Sequence, residues 1–150
     1  MAKIHNFKDS LKYGNKKEAE FCKLFPELEL LDGYIADMKI RSNGKTIDLK
    51  SDRYDLNKTG NFFMERYSYA DKNGGVWQAA DKNIDYYVYQ FTKNNLIYVF
   101  KTWRLLKLME ENEGLFKQIK VYNTSHVTVG YLVPRELLEP IAMTMEDILK

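Results

Sequence analysis

TIDLKSDRYDLNKTGNFFMERYS, residues 46–68, is the stretch on which the reading of the chain turns. Both of its ends alternate with the period of two of a β-strand. Thr46, Asp48, Lys50 and Asp52 therefore share one face of the first strand, and Ile47 and Leu49 take the other. In the second strand Phe62 and Met64 alternate with Phe63, Glu65 and Tyr67. A half-buried strand needs only Thr, Ser or Lys on its wet face. Here two acids and a lysine come from one strand, and a further acid stands among large apolar residues on the next.

Two accounts of that charge compete. One is a solvated strand face laced by cross-strand ion pairs. The other is a set of oxygen ligands for a hard cation such as Mg2+ or Mn2+, with a lysine beside them. Glu65 favours the second, because an acid inside NFFMERYSY needs a partner. Asp37 favours it too, since it interrupts YIADMKI, which reads as the strand adjoining that of Asp48. Glu18 or Glu20, on a preceding helix, could add a further oxygen.

The surrounding elements follow from local signals. Residues 15–25 read as a helix, with Asn15 as cap, Glu18 three residues on as in a capping box, and Pro26 as the stop. Residues 34–41 and 46–52 read as strands around the hairpin signal Ser42-Asn43-Gly44-Lys45. A loop over 53–60 leads to a third strand, 61–69. Residues 70–83, with Gly74 and Gly75, read as a turn-rich connection. Strands 84–91 and 96–102 come next, then a helix over 103–113 with apolar residues at helical spacing. Residues 117–123 and 126–133 read as late strands, and Pro134 opens a short helix. The expected fold class is α/β, a mixed sheet of a three-strand meander plus two further strands, flanked by helices.

The chain has 150 residues, of which 45% are hydrophobic and 29% charged, a mixture that suits one globular domain over 1–150. A net charge of +2 excludes a histone-like polycation but allows a basic rim around an acidic pocket. One cysteine, Cys22, permits no internal disulfide, no apolar run reaches membrane-spanning length, and the opening residues lack a signal-peptide core. These point to the cytoplasm. Two histidines and one cysteine exclude the familiar zinc spacings. Gly74-Gly75 lacks the spacing of a phosphate-binding loop, and no serine nucleophile elbow occurs. Any chemistry here is that of carboxylates and lysines.

With these residues in hand, the chain resembles the PD-(D/E)XK nuclease superfamily, the restriction-endonuclease-like fold, and most of all its small phage-encoded members. TIDLKSD would supply the first acid, Asp48, and TGNFFMERY the second, Glu65. GGVWQAADKNIDYYVYQF, with Lys82 and Asp85-Tyr86-Tyr87, is similar to the second half of such proteins. The resemblance spans residues 15–105 and leaves the role of 115–150 open. The family's lysine belongs two residues after the second acid, where this chain has Tyr67, so Lys50 or Lys82 would replace it. A second register is also open, with Asp37 as first acid and Asp48-Leu49-Lys50 as an intact DxK. The first register is preferred because it keeps the strand order and the Thr59-Gly60-Asn61 stretch.

The resemblance implies a Mg2+- or Mn2+-dependent DNA endonuclease, serving junction resolution or phage DNA processing in the cytoplasm of a host cell. Asp48 and Glu65 would hold the metal, helped by the Arg66 carbonyl, with Glu20 at a second position and Asp37 as an alternative ligand. Lys50 or Lys82 would position the attacking water. Lys45, Arg53, Lys58 and Arg66 would hold the DNA backbone, and Trp77 would contact substrate. A homodimer is expected by analogy with resolvases. The alternative is a catalytically inactive module on the same fold that binds nucleic acid or protein.

Overall fold

The structure, a computed structural model, describes residues 4–5, 7–123 and 126–150. In chain order it contains β1 (Ile4–His5), α1 (Phe7–Leu24), β2 (Leu28–Leu30), β3 (Met38–Ile40), β4 (Thr46–Asp52) and α2 (Leu56–Thr59). Then come β5 (Asn61–Tyr69), β6 (Lys72–Asn73), α3 (Gly75–Asp81), β7 (Tyr86–Phe91) and β8 (Leu96–Lys101). The last part is α4 (Thr102–Asn112), β9 (Lys117–Asn123), β10 (Val127–Pro134), α5 (Arg135–Leu138) and α6 (Met145–Leu149). The architecture is mixed α/β, with two five-stranded sheets ordered β2-β3-β4-β7-β8 and β1-β9-β10-β5-β6.

The first sheet is organised around β7. Its sequence YYVYQF is apolar on both faces, which suits only a strand covered on both sides. Tyr86 and Val88 enter one buried cluster with Phe21, Met38 and Ile47, whereas Tyr87, Tyr89 and Phe91 enter the other with Phe62, Met64 and Val76. β7 pairs parallel to β4, so the chain must cross over between them. The segment expected to be only turns supplies part of that crossover as α3. Its start is opened by Gly74 and by Gly75, whose φ of +51° lies in the left-handed region. Behind that start the run Val76–Ala80 has one buried side, and packing outweighs the turn residues around it.

Residues 61–69 are a strand as expected, but they are not the third strand of the meander. β4 is flanked by β3 and β7, while β5 pairs antiparallel with β10 in the second sheet, Glu65 opposite Gly130. The meander is instead β2-β3-β4, and β2 is an element the sequence reading lacked. Because β7 needs two covered faces and claims the edge of β4, β5 is left to lay Phe62 and Met64 between the sheets. Phe62 meets the rings of Tyr89 at 4.9 Å, Phe91 at 5.0 Å and Tyr98 at 5.0 Å, all near edge-to-face. α1 also departs from expectation: it runs through Asn15, which is mid-helix and not a cap. No helix among the described residues is long and apolar enough to cross a membrane.

Candidate functional site

A group of acids collects where β3 leaves β4. The two strands pair only at Met38–Ile47 and Lys39–Thr46, and β4 then continues alone on that side. Asp37 extends the ladder by one step, its N–H donating to the Ile47 carbonyl at 3.2 Å. Its side chain supplies the next step, as Asp37 Oδ2 accepts the Leu49 N–H at 2.8 Å. A strand edge that would otherwise leave a partly buried N–H unsatisfied thus fixes a carboxylate beside Asp48. From α1, Glu18 brings a third carboxyl within reach of the charges of Asp37 and Asp48.

The electrostatics carry the mark of crowded negative charge. Glu18 is pushed up to about 7, by burial first and then by Asp37 and Asp48. Asp48 is pushed up to about 7 by burial and by the Asp37 charge, against hydrogen bonding from the Asp37 backbone and the charge of Lys82. Asp37 is raised by burial, opposed by the Leu49 N–H, by Glu18 and by Lys82. The buried Tyr87 phenol is raised by burial and by the charges of Glu65, Asp48 and Asp37, so the fields of these acids meet at its hydroxyl.

Of the residues singled out in the sequence, the structure brings Asp37, Asp48 and Lys82 together, with Lys82 at the C-terminal cap of α3. Lys50 lies on the same face of β4 as Asp48, its Nζ 5.8 Å from the Phe63 ring. Glu65 approaches from the other sheet: its Oε2 accepts the Gly75 N–H at 3.2 Å. Glu20 faces away and pairs with Lys17 at 3.0 Å, leaving Glu18 as the acid that α1 delivers. A signal for this lies in the sequence. Glu18, Phe21, Cys22 and Phe25 follow the i, i+3, i+4, i+7 spacing of one helix face, and Glu20 is off it.

The candidate DNA contacts divide differently. Arg66 is occupied, with Nε at 3.2 Å from Glu113, Nη1 at 2.7 Å from Asn73, and the guanidinium 4.5 Å from the Trp77 ring. Trp77 is buried at 7% exposure and packs on Tyr131, so it presents no face to a substrate. The guanidinium of Arg53 stacks 3.6 Å from Tyr13, Lys58 is exposed at the end of α2, and Lys45 is exposed in the β3–β4 turn. The tryptophan that does face solvent is Trp103, 62% exposed, which sequence reasoning missed. On α4 the buried positions are Thr102, Leu105 and Met109, and Trp103 falls off that stripe.

Among the described residues no three acidic, histidine or cysteine side chains close into a ready metal cage. Magnesium ordinarily takes one or two carboxylates and fills its remaining positions with water and substrate oxygens. An all-oxygen donor set with carboxyls pushed toward neutrality by burial first, and for Glu18 and Asp48 by neighbouring negative charge as well, fits such a cation. Compared with protein-family models, with curated proteins and with solved structures, the chain matches none.

Proposed function

We propose that this protein is a metal-dependent nuclease that hydrolyses phosphodiester bonds of DNA, on a fold resembling that of the PD-(D/E)XK superfamily. The observation that carries the reading is the convergence of Asp37, Asp48 and Glu18 at the parting of β3 and β4. The order of helix, three-strand meander, crossover and parallel strand supports it. Within it, Asp37 is the first acid and Asp48-Leu49-Lys50 the DxK. Glu65 is placed outside this pair because its strand belongs to the second sheet and does not pair with β4.

Asp37 and Asp48 would hold Mg2+ or Mn2+, with Glu18 behind them. When bound, such an ion lowers the pKa of a water and neutralises charge that builds on the phosphate. The protein's own residues do the rest. The Leu49 N–H locks Asp37 in place, so the pair needs little reorganisation when substrate arrives. Glu18 stores or releases a proton near neutral pH. Lys50, on the face of Asp48, and Lys82, at the rim, hold a phosphate oxygen and orient the attacking water.

The test is cleavage of supercoiled plasmid and of a four-way junction with Mg2+ or Mn2+, comparing wild type with Asp48→Asn. Cutting should require the metal, and the variant should lose at least about 100-fold in rate while keeping its circular dichroism. A folded wild type that cuts neither substrate with either metal would overturn the nuclease and leave a binding module on this fold.

A further inference from the structure

Beside the acid cluster lies a cleft of about 490 Å3, within the roughly 300–1,000 Å3 typical of ligand sites. It opens between the β3–β4 turn, the segment after α3 and the start of α4, and its lining includes Lys45, Asn83, Asp85, Lys101, Thr102 and Trp103. Two short links tie it to the acids. Lys82, whose charge acts on Asp37 and Asp48, immediately precedes Asn83. Thr46, two residues before Asp48, holds Asp85 Oδ2 with its N–H at 2.9 Å and its hydroxyl at 3.2 Å.

The groups of this cleft are polar at its mouth and buried at its floor. Thr102 is 3% exposed, and its Oγ1 is buried with no hydrogen-bond partner among the described residues. Such a group is uncommon, and it lies beneath the floor of the cleft, not on its surface. The Asn83 side chain makes no hydrogen bond among the described residues, on a backbone held at φ +58°. Lys45 and Lys101 are exposed and neither is in an ion pair among the described residues, although Lys45 Nζ lies 5.7 Å from the centre of the Tyr86 ring. Against these two lysines the lining holds one carboxylate, Asp85, so positive charge is in excess. Trp103 offers an indole face to solvent at its edge.

We infer that this cleft binds an unpaired nucleotide of the DNA substrate, with the base stacked on Trp103 and its phosphates on Lys45 and Lys101. The inference rests on the nuclease reading for the identity of the substrate and deepens it. Stacking on an aromatic platform between cations is how proteins hold single strands, because every base has a π-face. The exposed Asn83 carboxamide meets the polar edge of the base. A base inside a duplex is already stacked and paired and cannot reach the indole. The preferred substrate is therefore DNA with a single-stranded end or gap next to the scissile bond.

The experiment is a binding titration in EDTA, without cleavage, using a 5′-phosphorylated oligothymidylate and a blunt hairpin duplex of equal length. The readouts are fluorescence anisotropy of labelled DNA and quenching of tryptophan emission. The single strand should bind at least about tenfold tighter than the duplex. Trp103→Ala should weaken single-strand binding by about tenfold, near the lower end for base–aromatic stacking, and leave duplex binding unchanged. Trp103→Ala should also abolish the quenching, since buried Trp77 is the other of two tryptophans. Trp103 is exposed, so its loss does not threaten folding. Equal binding by wild type and Trp103→Ala, or equal affinity for single strand and duplex, would overturn the inference. The two readings fail separately. Metal-dependent cutting of DNA with a single-stranded end that ignores Trp103→Ala, and that is no faster than cutting of blunt duplex, removes the cleft and keeps the nuclease. Trp103-dependent binding without cutting in Mg2+ or Mn2+ removes the nuclease and keeps a single-strand site.

Discussion

The Asp37 carboxylate accepts the backbone N–H of Leu49 at 2.8 Å, and Leu49 is the residue between Asp48 and Lys50. A side chain thereby takes the place of a missing strand partner. The bond holds a negative charge next to Asp48, which by itself would be unfavourable, so the backbone contact stabilises an arrangement that the acids oppose.

That opposition sets a pH dependence. Glu18 and Asp48 are raised in the folded state to about 7 from ordinary values of 4.5 and 3.8. Between those limits the folded protein holds protons that the unfolded chain has released, so stability must fall as pH rises across the window. Asp55, Glu139 and Asp147 are shifted down by their hydrogen bonds and act on the acid side of the window, where their stabilisation is lost as pH falls. Thermal melts in EDTA should give a lower Tm at about pH 8 than at about pH 5.5, with Mg2+ raising the Tm at the higher pH. A Tm that rises steadily from pH 5.5 to 8 in EDTA would show that Glu18 and Asp48 are not raised in the folded state.

Asp48→Asn should separate activity from stability. Removing one charge from the cluster should raise metal-free stability near pH 8 by about 1–2 kcal/mol, less than the full pKa shift implies because the site is partly solvated. The same change should abolish the stabilisation by Mg2+. Urea denaturation with and without the ion measures both, and a destabilised variant would argue that Asp48 serves as a structural ion-pair partner.

Tyr89 ties the two sheets together. Its hydroxyl donates to Asp52 and accepts the Phe63 N–H at 3.0 Å. Tyr89→Phe leaves a carboxylate at 7% exposure with only the Tyr54 N–H at 2.8 Å, and leaves the Phe63 N–H unpaired. The expected loss is about 2–4 kcal/mol in urea denaturation, from two groups left unsatisfied. A loss below about 0.5 kcal/mol would mean that water replaces the hydroxyl.

The two glycines before α3 should differ in tolerance. A Cβ on Gly74 would lie 2.3 Å from Glu65 Oε2, and one on Gly75 would lie 2.4 Å from the Glu65 carbonyl oxygen. The first obstacle is a side chain that can swing aside, whereas the second is backbone in the middle of β5. Gly75 also adopts a φ of +51°. Gly75→Ala should therefore cost about 3 kcal/mol or more, and Gly74→Ala about 1–2 kcal/mol. Equal Tm losses in the two variants would refute this account.

Much of the molecule is written locally. The strand at 46–52, the Asn43-Gly44 turn, the paired strands 84–91 and 96–102 and the helix beginning near 102 follow from periodicity and turn chemistry, and all are present. Asp37 as the polar interruption of YIADMKI and Asp48 on the charged face of its strand were equally legible, whereas Lys82 came from the resemblance. What local pattern could not decide was which strand lies beside β4. β5 and β7 are both apolar enough to pair there. The choice falls to β7 because both its faces can be buried at once, a property of the assembled layers. That choice carries Glu65 into the second sheet, brings Glu18 inward in place of Glu20, turns Trp77 into the core and leaves Trp103 in solvent. Alternation along a strand fixes which residues share a face, so the sequence alone determined that Asp48 and Lys50 stand together. Which residues face them across space depends on how the sheets pack, and only the tertiary structure decided that.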